Sequence, residues 1–182
     1  MTTKARATIE DLYRVPDNAN AEIVDGEIVP MSPTGFMPAR AGLKIAMSLV
    51  SIETKIPGRA CPDNIGYKVN LPNRESFSPD ASFYLGEPSG MKFLEGAPVF
   101  AVEVRSETDY GPNAEAAIAK KRSDYFAAGT LIVWDVDLLS PDVIRSYDAA
   151  NPNSPRIFRR GEIADAEPAL PGWRIPVDEL FS

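Results

Sequence analysis

The segment FAVEVRS, from Phe100 to Ser106, sets a glutamate inside a run that otherwise has the composition of a buried β-strand. Side chains alternate along a strand, so Phe100, Val102 and Val104 share one face while Val99, Ala101, Glu103 and Arg105 share the other. A carboxylate on such a face costs on the order of several kcal/mol unless it is paired, hydrogen-bonded or bound to a metal. Two further acids stand in strand-like surroundings: Asp80, after Pro79 at the head of DASFYL, and Glu22, within AEIVDG. Each alone reads more readily as a strand-end or solvent-facing charge. Together, two or three convergent carboxylates suit Mg²⁺ or Mn²⁺, hard ions that take oxygen ligands in octahedral geometry. Asp80, Glu103 and Glu22 are therefore the candidate metal ligands. The stretch from about Asn113 to Ala128 supplies a candidate cation. At about 100° per residue Ala114, Ile118, Lys121, Tyr125 and Ala128 share one helix face, with Lys120 nearly opposite. Lys121 either snorkels along the core side or aims its ammonium at Glu103. Arg105, about 6.6 Å along Glu103's own strand face, is the competing cation. A lysine so placed is expected to be removable at little cost to folding.

Composition narrows the chemistry further. The 182 residues include no histidine, which removes Ser-His-Asp and Cys-His nucleophile systems and the common histidine-rich zinc sites together. Acid-base or metal chemistry must rest on Asp, Glu, Lys or Tyr. The one cysteine, Cys61, permits no internal disulfide and is expected to pack in a reducing compartment. A formal charge of −7 argues against coating nucleic acid by bulk charge and leaves room for a local basic groove. There is no run of about 18 apolar residues, and MTTKARATIEDLYR lacks the apolar stretch of a secretory signal. The expectations are one domain over residues 1–182, no membrane span and a cytoplasmic location. The oligomeric state is left open, a homodimer included.

The elements that must position these residues are legible in outline. Thr8 and Asp11 form a variant capping box for a short helix. AEIVDGEIVPM is two alternating runs around Asp25-Gly26, a β-hairpin signal. Ala39 to Ile56 reads as the first long helix, with Leu43, Ala46, Met47 and Val50 at helical spacing and Pro57-Gly58 to end it. Strands follow at IGYKVNL, DASFYL and VFAVEVRS, then the second helix closed by Gly129, then the apolar strand LIVWDV. VIRSY and RIFRR read as added strands. The order helix, three strands, helix, strand indicates an α/β fold, a mixed central sheet covered by helices.

These residues resemble a known family. SPDASF, VEVRS, KRSDYFAAG and LIVWDVD, in that order, are similar to the Uma-two family of restriction-endonuclease-type proteins, a branch of the PD-(D/E)XK nuclease superfamily. EIVDGEIVPMSP resembles that family's N-terminal hairpin and LPGWRIPVDELF its C-terminal anchor, so the likeness spans nearly the whole chain. It implies a restriction-endonuclease-like mixed sheet flanked by helices, with the N-terminal β-hairpin as an addition. It also implies roles: Asp80 as the Asp of the PD signature, Glu103 as the Glu of the ExK half-motif, Glu22 as an extra N-terminal acid, and Lys121 as the lysine moved from the strand onto the following helix. Arg105 holds the strand position where the wider superfamily has Lys. The chain departs from the family in lacking a His before its first long helix and in having Ala21 where an aromatic is common. The implied activity is Mg²⁺- or Mn²⁺-dependent hydrolysis of nucleic-acid phosphodiesters, with DNA as the expected substrate. The alternatives are a catalytically lapsed binding or assembly module on the same fold, and a glycosidase-like carboxylate pair that needs neither lysine nor metal. Lys120, Arg122, Arg156, Arg159 and Arg160 would steer phosphate or form a solvated charge run.

Overall fold

A computed structural model describes residues 6–16 and 20–182; the first five residues of the stretch read above for a secretory signal lie outside it. Thr8 caps α1 (Ile9–Leu12) through a reciprocal pair of bonds with Asp11, as the sequence predicts. The hairpin follows as β1 (Ala21–Val24) and β2 (Glu27–Pro30). Its two turn residues take φ of 52° at Asp25 and 78° at Gly26, both in the left-handed region that a type I′ turn needs.

The chain continues through α2 (Phe36–Val50), β3 (Arg59–Pro62), β4 (Tyr67–Leu71), β5 (Arg74–Phe77), β6 (Ala81–Tyr84), β7 (Leu94–Glu95) and β8 (Phe100–Val104). Next come α3 (Pro112–Ala127), β9 (Ile132–Val136), β10 (Ile144–Asp148), β11 (Asn151–Phe158), β12 (Ile163–Asp165) and β13 (Arg174–Pro176), then a 3₁₀ turn at Val177–Phe181. The central sheet has the order β11-β10-β9-β8-β6-β3. It is mixed: β8 runs parallel to β9 and antiparallel to β6. A second sheet, β2-β1-β5-β4-β7, carries the hairpin, and β12 and β13 pair separately. Among the described residues no helix is long and apolar enough to cross a membrane.

Strand alternation divides the core. Phe100, Val102 and Val104 pack with Ile132, Trp134, α2 and the C-terminal residues Trp173, Val177 and Leu180 on one face of the central sheet. Ala101 and Val133 face the other way, into a cluster with Tyr67, Phe77 and Tyr125. Glu103 therefore points to the side where α3 and the second sheet meet.

The first long helix departs from its sequence reading in both extent and face. It starts at Phe36 rather than Ala39, since Pro38 is tolerated in a first turn, and ends at Val50, with turns rather than helix up to Ile56. Leu43, Met47 and Val50, expected inward, are 47%, 63% and 55% exposed, whereas Ala41, Ile45 and Leu49 are fully buried. A Cβ at Gly42 would lie 3.2 Å from the backbone carbonyl oxygen of Asp80, so α2 approaches the start of β6 closely at Gly42, with Ile45 and Leu49 filling the core beside it. Leu49→Ala is accordingly expected to cost about 2–5 kcal/mol in denaturant unfolding, and Met47→Ala no more than about 0.5 kcal/mol.

Candidate functional site

The β6–β8 ladder aligns the first two acids. Ala81 pairs with Val102, and the Asp80 N–H, one residue before β6, donates to the same Val102 carbonyl at 3.0 Å, which holds Asp80 against β8 next to Glu103. The Asp80 side chain then closes the ladder, Oδ2 accepting from the Val104 N–H at 2.6 Å. Both acids are half-buried, so this end of the site is open.

Glu103 has two partners, both from α3. Lys121 Nζ donates to its Oε2 at 2.8 Å and the Tyr125 hydroxyl to its Oε1 at 2.7 Å. The inward face predicted for this helix is the one observed, with Tyr125 fully buried and stacked on Phe77 at 4.0 Å between ring centroids. Lys121 also lies 3.0 Å from Glu22 Oε1 on β1. Glu22 is buried and well supplied: Oε1 accepts in addition from the Ser78 N–H at 2.9 Å, and Oε2 from Arg74 Nη1 at 2.6 Å. Arg74, buried on β5, turns its Nε to Asp124 Oδ2 at 2.9 Å, and Asn73 takes the other oxygen of Asp124 at 2.8 Å. Lys120 stands 3.6 Å from Asp124 on the solvent side. A chain of alternating charge thus runs Glu103, Lys121, Glu22, Arg74, Asp124.

Protonation follows from this order. Burial works against the charged form of Glu22, but Lys121 and Arg74 outweigh it and hold its carboxyl below the usual range. Glu103 is pushed up by burial, which Lys121 only partly offsets, and Glu22 adds repulsion. Burial opposes the Lys121 ammonium, yet Glu103 and Glu22 hold it firmly protonated. Asp80 is pushed up to about 7, first by burial and then by the charge of Glu103. Removing Lys121 would leave two buried carboxylates without their shared counter-charge, so the lysine is not cheap to delete, contrary to the sequence expectation.

Arg105 has gone elsewhere. Its guanidinium takes Asp135 on β9 in a fork of two 2.7 Å bonds and grips Glu115 in the first turn of α3. The cation on Glu103 is Lys121. Of the cations considered for phosphate steering, Arg156 pairs with Asp165, Arg159 with Asp142 and Arg160 with Asp178, while Arg122 lies 3.7 Å over the Tyr147 ring.

Asp80, Glu103, Lys121 and Glu22 are therefore gathered at one place, with Asp80 and Glu103 the pair whose oxygens face the open end. Among the described residues no group of three or more Asp, Glu, Cys or His side chains is arranged to hold a metal ion. Sequence reasoning missed Arg74, Asp124 and the Tyr125 hydroxyl as parts of the site. The signal for Arg74 was present: alternation in RESF puts Arg74 and Ser76 on one face, and both are buried.

Comparisons with known proteins bear on the fold and the family. The crystal structure of a "putative nuclease belonging to DUF820" from Anabaena variabilis superposes with a TM-score of 0.73 at 16% identity, covering 96% of this chain and 97% of that one. At that identity the likeness concerns the fold, which is restriction-endonuclease-like as the sequence implied. None of the curated proteins matches. The profile of the family Uma2, described as "Putative restriction endonuclease", matches residues 8–178, and the chain belongs to that family.

Proposed function

We propose that the protein is a Mg²⁺- or Mn²⁺-dependent endonuclease that hydrolyses nucleic-acid phosphodiesters, with DNA as the substrate. The observation that carries the reading is the Asp80 carboxylate held on the Val104 N–H at 2.6 Å, close enough to Glu103 to feel its charge, with Lys121 Nζ 2.8 Å from the Glu103 carboxylate. The donor set fits a hard divalent ion. It is all oxygen, it opens to solvent, and it carries excess negative charge, since Lys121 and Arg74 are already matched against Glu103, Glu22 and Asp124 before Asp80 is counted. Two carboxylates suffice, because Mg²⁺ keeps several waters and takes its remaining ligands from substrate phosphate. A cation held there would lower the pKa of a bound water and offset charge developing on the phosphate oxygens. In this reading Asp80 and Glu103 are the ligands, and Lys121 presents a fixed positive charge to the phosphate. Tyr125 keeps the Glu103 carboxylate oriented from its other side. The glycosidase-like alternative is disfavoured by the ammonium bonded to Glu103, which that chemistry does not use. The binding-module reading draws on one observation, the pairing of Arg156, Arg159 and Arg160 with acids.

The raised Asp80 carboxyl gives a test without substrate. Its native pKa of about 7 lies above the ordinary 3.8, so the stability linked to it is complete below about pH 4 and is lost as pH rises toward 7. In EDTA, Asp80→Asn is expected to be more stable than the parent by about 1–3 kcal/mol at pH 8, with the difference shrinking toward pH 4. A difference independent of pH would show that Asp80 ionises normally.

Plasmid nicking tests the activity itself. With Mg²⁺ or Mn²⁺ the parent is expected to cleave and EDTA to stop it, while Asp80→Asn, Glu103→Gln and Lys121→Met each fall at least about 100-fold. Arg105→Lys, assayed below its melting temperature, is expected to retain cleavage. If Lys121→Met cleaves like the parent and Arg105→Lys is dead, the strand arginine holds the role assigned to the lysine. A parent that binds Mn²⁺ and DNA and never cleaves is the binding module.

A further inference from the structure

We infer that Glu22 is a positioning residue for Lys121 rather than a metal ligand, and that Arg74 is the clamp that keeps it in that role. The inference rests on the metal-dependent reading above and assigns the third acid of the site a different part.

The occupancy of Glu22 separates it from the other two acids. Its Oε1 accepts from the Ser78 backbone N–H at 2.9 Å and faces Lys121 Nζ at 3.0 Å, and its Oε2 accepts from Arg74 at 2.6 Å. A carboxylate offers about four lone-pair positions, so three are spent on fixed donors, two of them cationic. The carboxylate is also 7% exposed at its side chain, against 25% for Glu103. A cation entering from the open end meets Asp80 and Glu103 first and, at Glu22, would have to sit beside both an ammonium and a guanidinium. Hard divalent ions do not gain from such a neighbourhood.

Lys121, in contrast, needs Glu22. In the metal-free protein its ammonium bridges Glu103 Oε2 at 2.8 Å and Glu22 Oε1 at 3.0 Å. A metal held by Glu103 would draw on the same carboxylate and weaken its hold on the ammonium, and the contact with Glu22 would then decide where the ammonium stays. Glu22 can hold it only if its own carboxylate cannot swing. The Ser78 N–H fixes one oxygen and Arg74 the other, while Arg74 is itself braced by Asp124 and lies 4.9 Å over the Phe77 ring. Arg74 bonds Glu22 and Asp124, so it reaches Lys121 through Glu22.

Mn²⁺ binding, cleavage and one crystal structure distinguish the roles. Titrated with Mn²⁺ alone, Glu22→Gln is expected to bind within about twofold of the parent, whereas Asp80→Asn and Glu103→Gln weaken binding about tenfold or more. In plasmid cleavage Glu22→Gln and Arg74→Met are expected to lose about tenfold to 100-fold in kcat with little change in KM, and Arg74→Lys to recover part of that loss. Melting temperatures taken alongside exclude unfolding as the cause. The parent crystallised with Mn²⁺ is expected to keep Lys121 Nζ on Glu22 while its distance to Glu103 lengthens. Weakening of Mn²⁺ binding tenfold or more by Glu22→Gln, or Mn²⁺ found bonded to Glu22, overturns the inference and leaves the metal-dependent reading intact. Unchanged kcat in Glu22→Gln overturns it likewise. A parent that binds no Mn²⁺ at all overturns both.

Discussion

The fold is organised around the need to bury carboxylates in the interior between two sheets and a helix. Each such acid costs on the order of several kcal/mol if left alone, and neither β1, which carries Glu22, nor β8, which carries Glu103, holds a cation of its own. Glu22 comes from β1, Arg74 from β5, Glu103 from β8, and Lys121 and Asp124 from α3, so charge balance is reached only when all four elements are in place. The alternating chain therefore acts as a specificity device as well as a counter-charge. A slip of β8 by one residue would carry Glu103 to the apolar face with Trp134 and Phe100 and leave Lys121 paired with Glu22 alone.

Asp80 is the member left outside this balance. Its carboxylate accepts one backbone N–H and faces the charge of Glu103, and the nearest ammonium is already shared between two other acids. An acid kept in that position raises the energy of the folded protein, a pattern expected of sites that store unfavourable interactions for function. The surrounding structure holds it there from both sides: β8 fixes its side chain, and α2 passes so close at Gly42 that the Asp80 backbone has little room to retreat.

Much of this was legible in the sequence because it depended on period. Two-residue alternation put Glu103 on the face away from Phe100 and Val102, and the 3.6-residue period of α3 grouped Lys121 with Tyr125, as found. The hairpin at Asp25-Gly26 followed from turn chemistry. What failed was the choice of face on α2: of the set Leu43, Ala46, Met47 and Val50 only Ala46 is buried, and the helix instead buries Ala41, Gly42, Ile45 and Leu49, the side whose small residues allow close approach at Asp80. Arg74 was hidden for a different reason. Its strand reads as polar, and a buried arginine is announced only by partners that lie 50 and 52 residues away in the chain, Asp124 and Glu22.

The arginine on the central strand shows how the site came to draw its cation from a helix. Arg105 occupies the face of β8 that Glu103 occupies, and a guanidinium there could have paired with it. Instead Asp135, which lies opposite Glu103 in the parallel β8–β9 register, draws Arg105 into a bidentate fork, and the same guanidinium reaches on to Glu115. That contact pins the first turn of α3 to the edge of β8 and β9. From Glu115 the helix climbs about 9 Å to Lys121, at about 1.5 Å per residue, which returns the chain to the level of Glu103. The strand cation therefore does not compete with Lys121 for the carboxylate. By fixing where the helix begins, it determines where the lysine arrives, and the planar guanidinium stays bound to Asp135 and Glu115 while the compact ammonium reaches Glu103.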